Sequence, residues 1–262
     1  MLTEEKIQTL GDELYQALRD RVAVSPLTER EPEMTIDDAY HVSLRMVERR
    51  VADGETIIGK KIGVTSKAVM NMLNVHQPDF GYLTDTMVYG NGEEMPISEQ
   101  LIAPRAEGEI AFILKHDLDG PGVTAADVLR ATDFIMPCFE IVDSRIKDWK
   151  IKIQDTIADN ASCGLLLLGD KRVDPRKLDL STLGMVVEKN GDLLSTGAGA
   201  AALGSPINCI VWLANTLGRL GVSLKAGELI LSGSLVPLEP VVAGDYMRVS
   251  IGGIGSASVR FV

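Results

Sequence analysis

The segment Pro104–Lys115 constrains the fold and the chemistry of this chain more than any other. Its second half has apolar residues at every second position from Ile110 to Leu114, which is typical of a strand with one apolar face. Side chains alternate across a strand, so Glu107 and Glu109 share the opposite face, about 7 Å apart along the strand. Two like charges on one face need a compensating partner. A hard divalent cation such as Mg²⁺ or Mn²⁺ would supply it, because such ions favour oxygen ligands.

A third carboxylate favours a metal site over a solvated sheet edge, which is the alternative for a bare Glu-x-Glu pattern. The run Phe134–Val142 is apolar except for Glu140 and predicts a buried strand. An ionised carboxylate in such a run costs free energy unless it is paired or binds a metal. The structural alternatives for Glu140 are a cap or an ion pair with Arg145.

Charge and composition exclude several classes of function. A net charge of −11 and a pI near 4.8 argue against binding to a phosphate backbone, so we expect no nucleic-acid partner. The three cysteines form no Cys-x-x-Cys pair and are expected to be buried thiols in a reducing cytoplasm. Because the N-terminus is acidic and has no apolar core region, we expect no signal peptide. The uncharged run Leu193–Gly218 is interrupted by glycines and by Ser205-Pro206, which favours a buried loop and helix over a membrane span.

The N-terminal part is predicted to be helical. Helical spacing covers Thr3–Val22, and a second helix begins at Thr35, which can cap the amide of Asp38, and ends near Gly54. His41 in this second helix is expected to be a partly exposed side chain rather than a ligand. Together the two helices predict a cap on the rest of the chain.

The next segment, Glu55–Thr65, predicts a strand with two adjacent lysines. Alternation places Lys61 on the face of Gly59 and Gly63, where missing side chains would let a ligand approach closely. Periodicity alone does not separate Lys61 from Lys60, and spacing alone favours a solvated lysine pair.

Two polar segments are weaker candidates for a site. After a short helix capped by Ser66 and ending near Leu73, Pro78 and Gly81 predict a turn that could orient Asp79, although such an aspartate is usually a backbone cap. The segment Asp155–Gly164 precedes a buried strand and suits either a binding site or a turn.

The C-terminal part predicts short strands and one helix. Asn190-Gly191 is a strong hairpin signal, and Ser205-Pro206 begins a helix that reaches Gly221. Further strands are predicted at Leu165–Leu168, Leu229–Ser232, Tyr246–Ile251 and Ala257–Phe261. The glycine-rich run from Gly197 to Ala202 matches a dinucleotide loop in letters only, because its helix begins too late and its strand belongs to a hairpin. With three histidines and no zinc spacing, any metal would be held by oxygen.

Five motifs together resemble the 2-keto-4-pentenoate hydratases, also called 2-hydroxypenta-2,4-dienoate hydratases, of the fumarylacetoacetate hydrolase superfamily. The motifs are Gly59–Ser66, Gln77–Gly81, Pro104–Glu109, Glu140–Arg145 and Ala158–Ser162. They stand in the family's order, and the similarity extends from the N-terminal helices to Gly253-Ile-Gly255-Ser256.

The resemblance implies a Mg²⁺ or Mn²⁺ site built from Glu107, Glu109 and Glu140. It places the family's lysine at Lys61 and assigns proton transfer or the orientation of water to Asp79. The related 4-oxalocrotonate decarboxylases share the metal carboxylates and the lysine but carry an apolar residue at the position of Asp79. That aspartate therefore indicates a hydratase.

Contacts to the substrate carboxylate are implied for Ser162, Ser232 and Gly233. The implied reaction adds water to a 2-hydroxydienoate, 2-hydroxypenta-2,4-dienoate, and yields 4-hydroxy-2-oxopentanoate in the meta-cleavage catabolism of aromatic compounds. Decarboxylation of 4-oxalocrotonate is the alternative, and a non-enzymatic acidic scaffold is a remote one.

The implied fold is α+β, with a mixed β-roll or barrel core of the fumarylacetoacetate hydrolase type and an N-terminal helical cap. Residues 1–75 would form the cap and first core strand, and residues 76–262 the catalytic β-rich domain, unless both count as one domain. We expect a cytoplasmic homo-oligomer, with a complex with 4-oxalocrotonate decarboxylase as a further candidate partner, and no membrane association.

Overall fold

The computed structural model describes residues 1–72 and 74–262 and has the predicted α+β architecture. The helices are α1 Glu4–Asp20, α2 Leu27–Arg30, α3 Ile36–Ala52, α4 Lys67–Met72, α5 Ile97–Gln100, α6 Ala125–Ala131, α7 Ile153–Ala158 and α8 Pro206–Gly218. The strands are β1 Ile57–Gly63, β2 Asp79–Thr84, β3 Val88–Gly90, β4 Glu94–Met95, β5 Arg105–Leu114, β6 Thr132–Val142, β7 Leu165–Leu168, β8 Gly184–Lys189, β9 Asp192–Ala198, β10 Leu229–Leu231, β11 Glu239–Pro240, β12 Tyr246–Ile251 and β13 Gly255–Phe261. The predicted helix end near Leu73 lies outside the described residues.

The N-terminal helices form as predicted. α1 begins after Thr3, whose hydroxyl accepts a hydrogen bond from a first-turn amide. α3 begins after Thr35, which forms a capping box with Asp38. The apolar faces of α1 and α3 pack with α7 in a core of their own, separate from the main core of the two sheets.

The larger sheet carries both predicted acidic strands. Its order is β2-β1-β10-β5-β6-β7-β3, and β11 pairs with β5. The apolar residues Ile110, Phe112 and Leu114 of β5 are buried in the main core, as their alternation predicts. Strand β1 lies between β2 and β10, so residues on both sides of the predicted boundary at residue 75 contribute to one sheet. The division into residues 1–75 and 76–262 stays a prediction.

The smaller sheet has the order β4-β13-β12-β8-β9. The hairpin of β8 and β9 turns at Asn190-Gly191, as predicted, with both residues at positive φ. Gly108 of β5 faces this sheet, and a Cβ there would lie 2.7 Å from Met185 Sδ of β8. The missing side chain therefore lets the two sheets approach.

Helix α8 belongs to the core. Among residues 1–72 and 74–262, one helical stretch, Gly199–Gly218, is long and apolar enough to cross a membrane by length and composition. Its buried residues, including Cys209, Ile210 and Leu213, pack into the main core. This packing agrees with the prediction of a buried loop and helix.

The structure corrects two local predictions and adds three short strands. The turn expected between Pro78 and Gly81 is wrong, because Asp79 already begins β2 and pairs with Gly63 of β1. The space at Gly59 serves no ligand, since a Cβ there would lie 1.8 Å from the carbonyl oxygen of Leu229. The two-to-three-residue strands β3, β4 and β11 were not predicted, because so few residues carry no periodicity.

Candidate metal centre

The antiparallel pairing of β5 and β6 brings the three glutamates together. Its register sets Glu107 directly opposite Glu140 and Glu109 opposite Cys138. Each glutamate offers an oxygen, and these three oxygens lie within 4.8 Å of one another. The two glutamates that share a face of β5 and the isolated glutamate of β6 thus form one group. We call it the carboxylate cluster (Glu107, Glu109 and Glu140).

The carboxylate cluster is largely buried and incompletely paired. Glu109 and Glu140 are at most 1% exposed, whereas Glu107 is half-buried. Within the described chain, Glu109 Oε1 and Glu140 Oε2 accept no hydrogen bond, while Glu140 Oε1 faces the ammonium group of Lys61. Burial, together with the neighbouring carboxylates, raises the pKa of Glu107 to about 7 and raises the pKa of Glu109 above its ordinary value. Unpartnered carboxylate oxygens that converge in this way fit a hard divalent cation.

Lys61 lies at this cluster. Its Nζ is 3.1 Å from Glu140 Oε1, and the side chain is 3% exposed. Burial alone would lower the pKa of Lys61, but Glu140 and other carboxylates raise it above the ordinary value, so the lysine is a cation. Lys60 points to the other face of β1 and pairs with Glu228 at 2.6 Å. The preference for a solvated lysine pair was wrong, because both side chains are buried.

The alternative ion pair of Glu140 with Arg145 is also wrong. Arg145 is fully buried and pairs instead with Asp159, at 2.6 Å. Glu140 has Lys61 as its cationic partner in the described part of the chain.

Asp79 is the first residue of β2 and lies beside Lys61. It is 1% exposed, and its Oδ1 has no hydrogen-bond partner among the described residues. Burial raises the pKa of Asp79, and the charge of Lys61 opposes that rise. A Cβ at Gly63 would lie 2.4 Å from Asp79 Oδ1 and 3.5 Å from Lys61 Nζ. Gly63 thus leaves space for the side chains of Asp79 and Lys61. The sequence had predicted that this space would admit a ligand.

The three residues expected to contact the substrate carboxylate differ in whether their polar groups already have a hydrogen-bond partner. The Ser232 hydroxyl is fully buried and has no partner in residues 1–72 and 74–262. The Gly233 amide donates a hydrogen bond to Glu109 Oε2 at 2.8 Å, so it orients a glutamate. The Ser162 hydroxyl already shares a hydrogen bond with the Thr156 hydroxyl at 3.1 Å. All three contacts to the substrate stay predictions.

The polar segment Asp155–Gly164 mainly supports the structure around the site. Asp155 accepts hydrogen bonds from the amide and hydroxyl of Thr28, at 3.0 and 2.7 Å. Asn160 bonds the backbone of Tyr82 in β2. Neither role is apparent from the sequence, because each partner lies at least 78 residues away.

A cavity of about 690 Å³ opens next to the site. Much of its wall is apolar and comprises Met70, Pro78, Ala200, Ala201, Leu203 and Trp212. Thr65 also lines it and contacts the backbone at Gly233, while Pro78 directly precedes Asp79. Through Thr65 and Pro78 the cavity adjoins the segments that carry Gly233 and Asp79.

Known proteins resemble this chain along its whole length. The model of the fumarylacetoacetate (FAA) hydrolase C-terminal family matches residues 57–262. A 2-hydroxypent-2,4-dienoate hydratase of Pseudomonas putida is 73% identical over 83% of this chain and 98% of its own length. A 2-hydroxyhexa-2,4-dienoate hydratase of Comamonas testosteroni is 57% identical over 100% of this chain and 99% of its own.

A solved structure of 4-oxalocrotonate decarboxylase from Pseudomonas putida G7, complexed with magnesium and adipate, has a TM-score of 0.97 to this chain. It is 37% identical, and the match covers 100% of this chain and 99% of that one. The fold is thus shared with a decarboxylase, while the higher identities are to hydratases. The chain belongs to the fumarylacetoacetate hydrolase family, in the group that contains the 2-keto-4-pentenoate hydratases.

Proposed function

We propose that this chain is a divalent-metal-dependent hydratase that adds water to 2-hydroxypenta-2,4-dienoate and yields 4-hydroxy-2-oxopentanoate. The observation that carries the proposal is the convergence of three carboxylates, with unpartnered buried oxygens, beside Lys61 and Asp79. The hydratase at 73% identity supports the substrate class. The identity to a decarboxylase is only 37%, below that to the hydratases, so the alternative decarboxylase activity is not favoured.

The reaction needs negative charge to be stabilised at one end of the substrate. The dienol must lose its hydroxyl proton and gain a proton at C5, which gives a 2-oxo-3-enoate whose C4 accepts water. A Mg²⁺ or Mn²⁺ ion bound by Glu107, Glu109 and Glu140 would stabilise charge on the C2 oxygen as a Lewis acid. Lys61 is a buried cation at the same place and supports the enolate or carboxylate charge.

Asp79 serves the hydration step. Its unpartnered Oδ1 lies in a buried setting that raises its pKa, so it is a better base than an ordinary aspartate. It orients the attacking water and accepts its proton as the oxygen bonds to C4, while C3 gains a proton. The Ser232 hydroxyl, buried and without a partner in the described chain, is available to hold the substrate carboxylate. Ser162 and the Gly233 amide are further candidates for this contact.

The size of the cavity allows a longer substrate as well. If C1 and C2 face the carboxylate cluster and the C5 end extends past Asp79 toward Pro78, that end would enter the cavity, whose wall includes Met70, Leu203 and Trp212. A methyl group at C5, as in 2-hydroxyhexa-2,4-dienoate, would contact apolar side chains there.

The test follows the ultraviolet absorbance of 2-hydroxypenta-2,4-dienoate with purified protein, first with Mg²⁺ or Mn²⁺ and then with chelator. Metal-dependent loss of the dienol with 4-hydroxy-2-oxopentanoate as product is expected. Release of CO₂ from 2-oxohex-3-enedioate without hydration would assign the decarboxylase reaction instead. No change with either compound would support the remaining alternative, a non-enzymatic acidic scaffold.

The proposal extends to a cytoplasmic homo-oligomer and to a complex with a 4-oxalocrotonate decarboxylase, carried by the family resemblance alone. Light scattering of the protein by itself and mixed with such a decarboxylase measures both masses. A monomer that stays unchanged in the mixture would contradict both parts.

A further inference from the structure

We propose that Asn160 is a positioning residue whose side-chain amide closes the free edge of β2 and thereby holds Asp79 against Lys61 and Glu140. The inference rests on the proposed function, because it concerns the residue assigned to the hydration step. It goes further in naming a side chain that touches no substrate.

Strand β2 lies at the end of the larger sheet and pairs with β1 along one side. On its other side, in the described part of the chain, no strand pairs with it. The side chain of Asn160 makes two hydrogen bonds to this side of β2. Asn160 Oδ1 accepts from the Tyr82 amide at 2.8 Å, and Asn160 Nδ2 donates to the Tyr82 carbonyl at 2.9 Å. This exchange reproduces what a neighbouring antiparallel strand residue would provide.

The backbone around Asn160 is built for this contact. Asn160, Ala161 and Ser162 have φ values of 51°, 50° and 55°, in the left-handed region that non-glycine residues rarely adopt. Asparagine tolerates this region better than most residues. Such a run persists only where its surroundings determine it.

The surroundings are the fully buried Arg145. Its guanidinium donates to the Asp159 carboxylate at 2.6 Å, to the Asp159 carbonyl at 2.7 Å and to the Cys163 carbonyl at 2.7 Å. Both ends of the left-handed run are therefore fixed by one side chain. Gly81 completes the fit, since a Cβ there would lie 2.4 Å from the Asn160 carbonyl oxygen.

This contact joins the elements that carry the site. Tyr82 lies three residues after Asp79 in β2, and the Asn160 turn leads into β7, which pairs Leu166 with Glu140 of β6. The amide of Asn160 thus links the strand of Asp79 to the strands of the carboxylate cluster from the side opposite Lys61. Without it, β2 would be held by β1 alone among the strands, and Asp79 would lose its fixed position.

The test compares two isosteric variants, Asn160→Asp and Asn215→Asp. Asn215 of α8 makes a similar two-way contact elsewhere, accepting from the amides of Gly122 and Val123 at 2.6 and 2.8 Å and donating to the Val123 carbonyl at 2.9 Å. Each substitution replaces the donor by an oxygen that faces a carbonyl. Both are expected to lower the melting temperature.

Only Asn160→Asp is expected to lower kcat for hydration, by roughly 10- to 100-fold, as misplacement of a reacting group does. The KM and the Mg²⁺ affinity should stay within about threefold, because the carboxylate cluster lies on other strands. In an Asp79→Asn background, Asn160→Asp should cause little further loss, as expected for two residues that act through one step. A kcat within about twofold of wild type, or a full additional loss in that background, would overturn the proposal.

Asn160→Gly gives a readout independent of activity, since glycine accepts the left-handed backbone and removes the amide. Hydrogen exchange of the Tyr82 amide should become faster in this variant, and unchanged protection would show that β2 is held without Asn160. This variant also replaces Asn160→Asp if the latter does not fold. Loss of the proposed function itself is recognised separately, by a wild-type protein that shows no metal-dependent hydration.

Discussion

At the scale of single residues, the site is a place where buried charge is incompletely compensated. Four carboxyl groups, Glu107, Glu109, Glu140 and Asp79, surround Lys61. One ammonium group does not balance them, and in the described chain several of their oxygens accept no hydrogen bond. A bound cation and substrate would complete an arrangement this costly in free energy.

Glu140→Gln tests the cation-binding role, since it keeps the shape of the side chain and removes its charge. We expect the Mg²⁺ affinity to fall on the order of 100-fold or more, and metal-dependent turnover to be lost with it. Isothermal titration with Mg²⁺ measures the affinity. Glu228→Gln is the matched control, because it removes the partner of the adjacent Lys60 at 2.6 Å without touching the carboxylate cluster. Normal affinity and activity in Glu140→Gln would show that the carboxylate cluster does not bind the metal.

Asp79→Asn tests the hydration step. The amide cannot accept the proton of the attacking water, so we expect product formation to fall by about 10²- to 10⁴-fold. Ketonisation of the dienol should fall less. Absorbance follows loss of the dienol, and nuclear magnetic resonance follows the 4-hydroxy product. An equal loss of both steps would indicate that Asp79 is structural.

At the scale of elements, glycines determine how closely the strands and their side chains approach. Gly63 leaves room for Asp79, Gly81 for the Asn160 turn, and Gly108 for the smaller sheet. None of these three needs a positive φ, so each is required for space rather than for backbone freedom. The glycines of β1 thus support the site by leaving space for neighbouring protein atoms.

Gly63→Ala is expected to reduce hydration by at least about tenfold, because its Cβ would lie 2.4 Å from Asp79 Oδ1 and would displace that carboxylate. Steady-state kinetics give kcat, and titration shows whether Mg²⁺ affinity is retained. Gly184→Ala is the control: it lies in β8, and a Cβ there meets no atom of the described chain within 4 Å. Equal kinetics in both variants would contradict the role of Gly63.

At the scale of the whole molecule, the metal should contribute to folding stability. The three glutamates come from two strands of the larger sheet, and their mutual repulsion opposes the pairing of those strands. A cation that binds the folded state alone relieves this repulsion and stabilises the fold.

Mg²⁺ at one hundred times its Kd is expected to stabilise the folded protein by about 2.7 kcal/mol. For a chain of this size, that raises the Tm by roughly 5–10 °C. Calorimetry with Mg²⁺ and with chelator measures the shift, and Glu140→Gln should show little of it. A Tm that does not change at saturating Mg²⁺ would contradict a cation held by buried carboxylates.

The elements that sequence reasoning predicted well are those with long periodicity or strong end signals. The capped helices α1 and α3, the hairpin at Asn190-Gly191 and the alternating strand β5 all form as expected. Short strands and the start of β2 at Asp79 were missed, because pairing partners distant in the chain create them.

The sequence by itself determined which side chains could take part in the site. Alternation puts Glu107 and Glu109 on one face, and the apolar run around Glu140 marks a carboxylate that needs a partner. The tertiary structure decided how they meet: the register that sets Glu107 opposite Glu140, the pairing of Lys61 with Glu140, and the contact of Asn160 with Tyr82. These depend on the register and curvature of strands distant in the chain, which local periodicity does not specify.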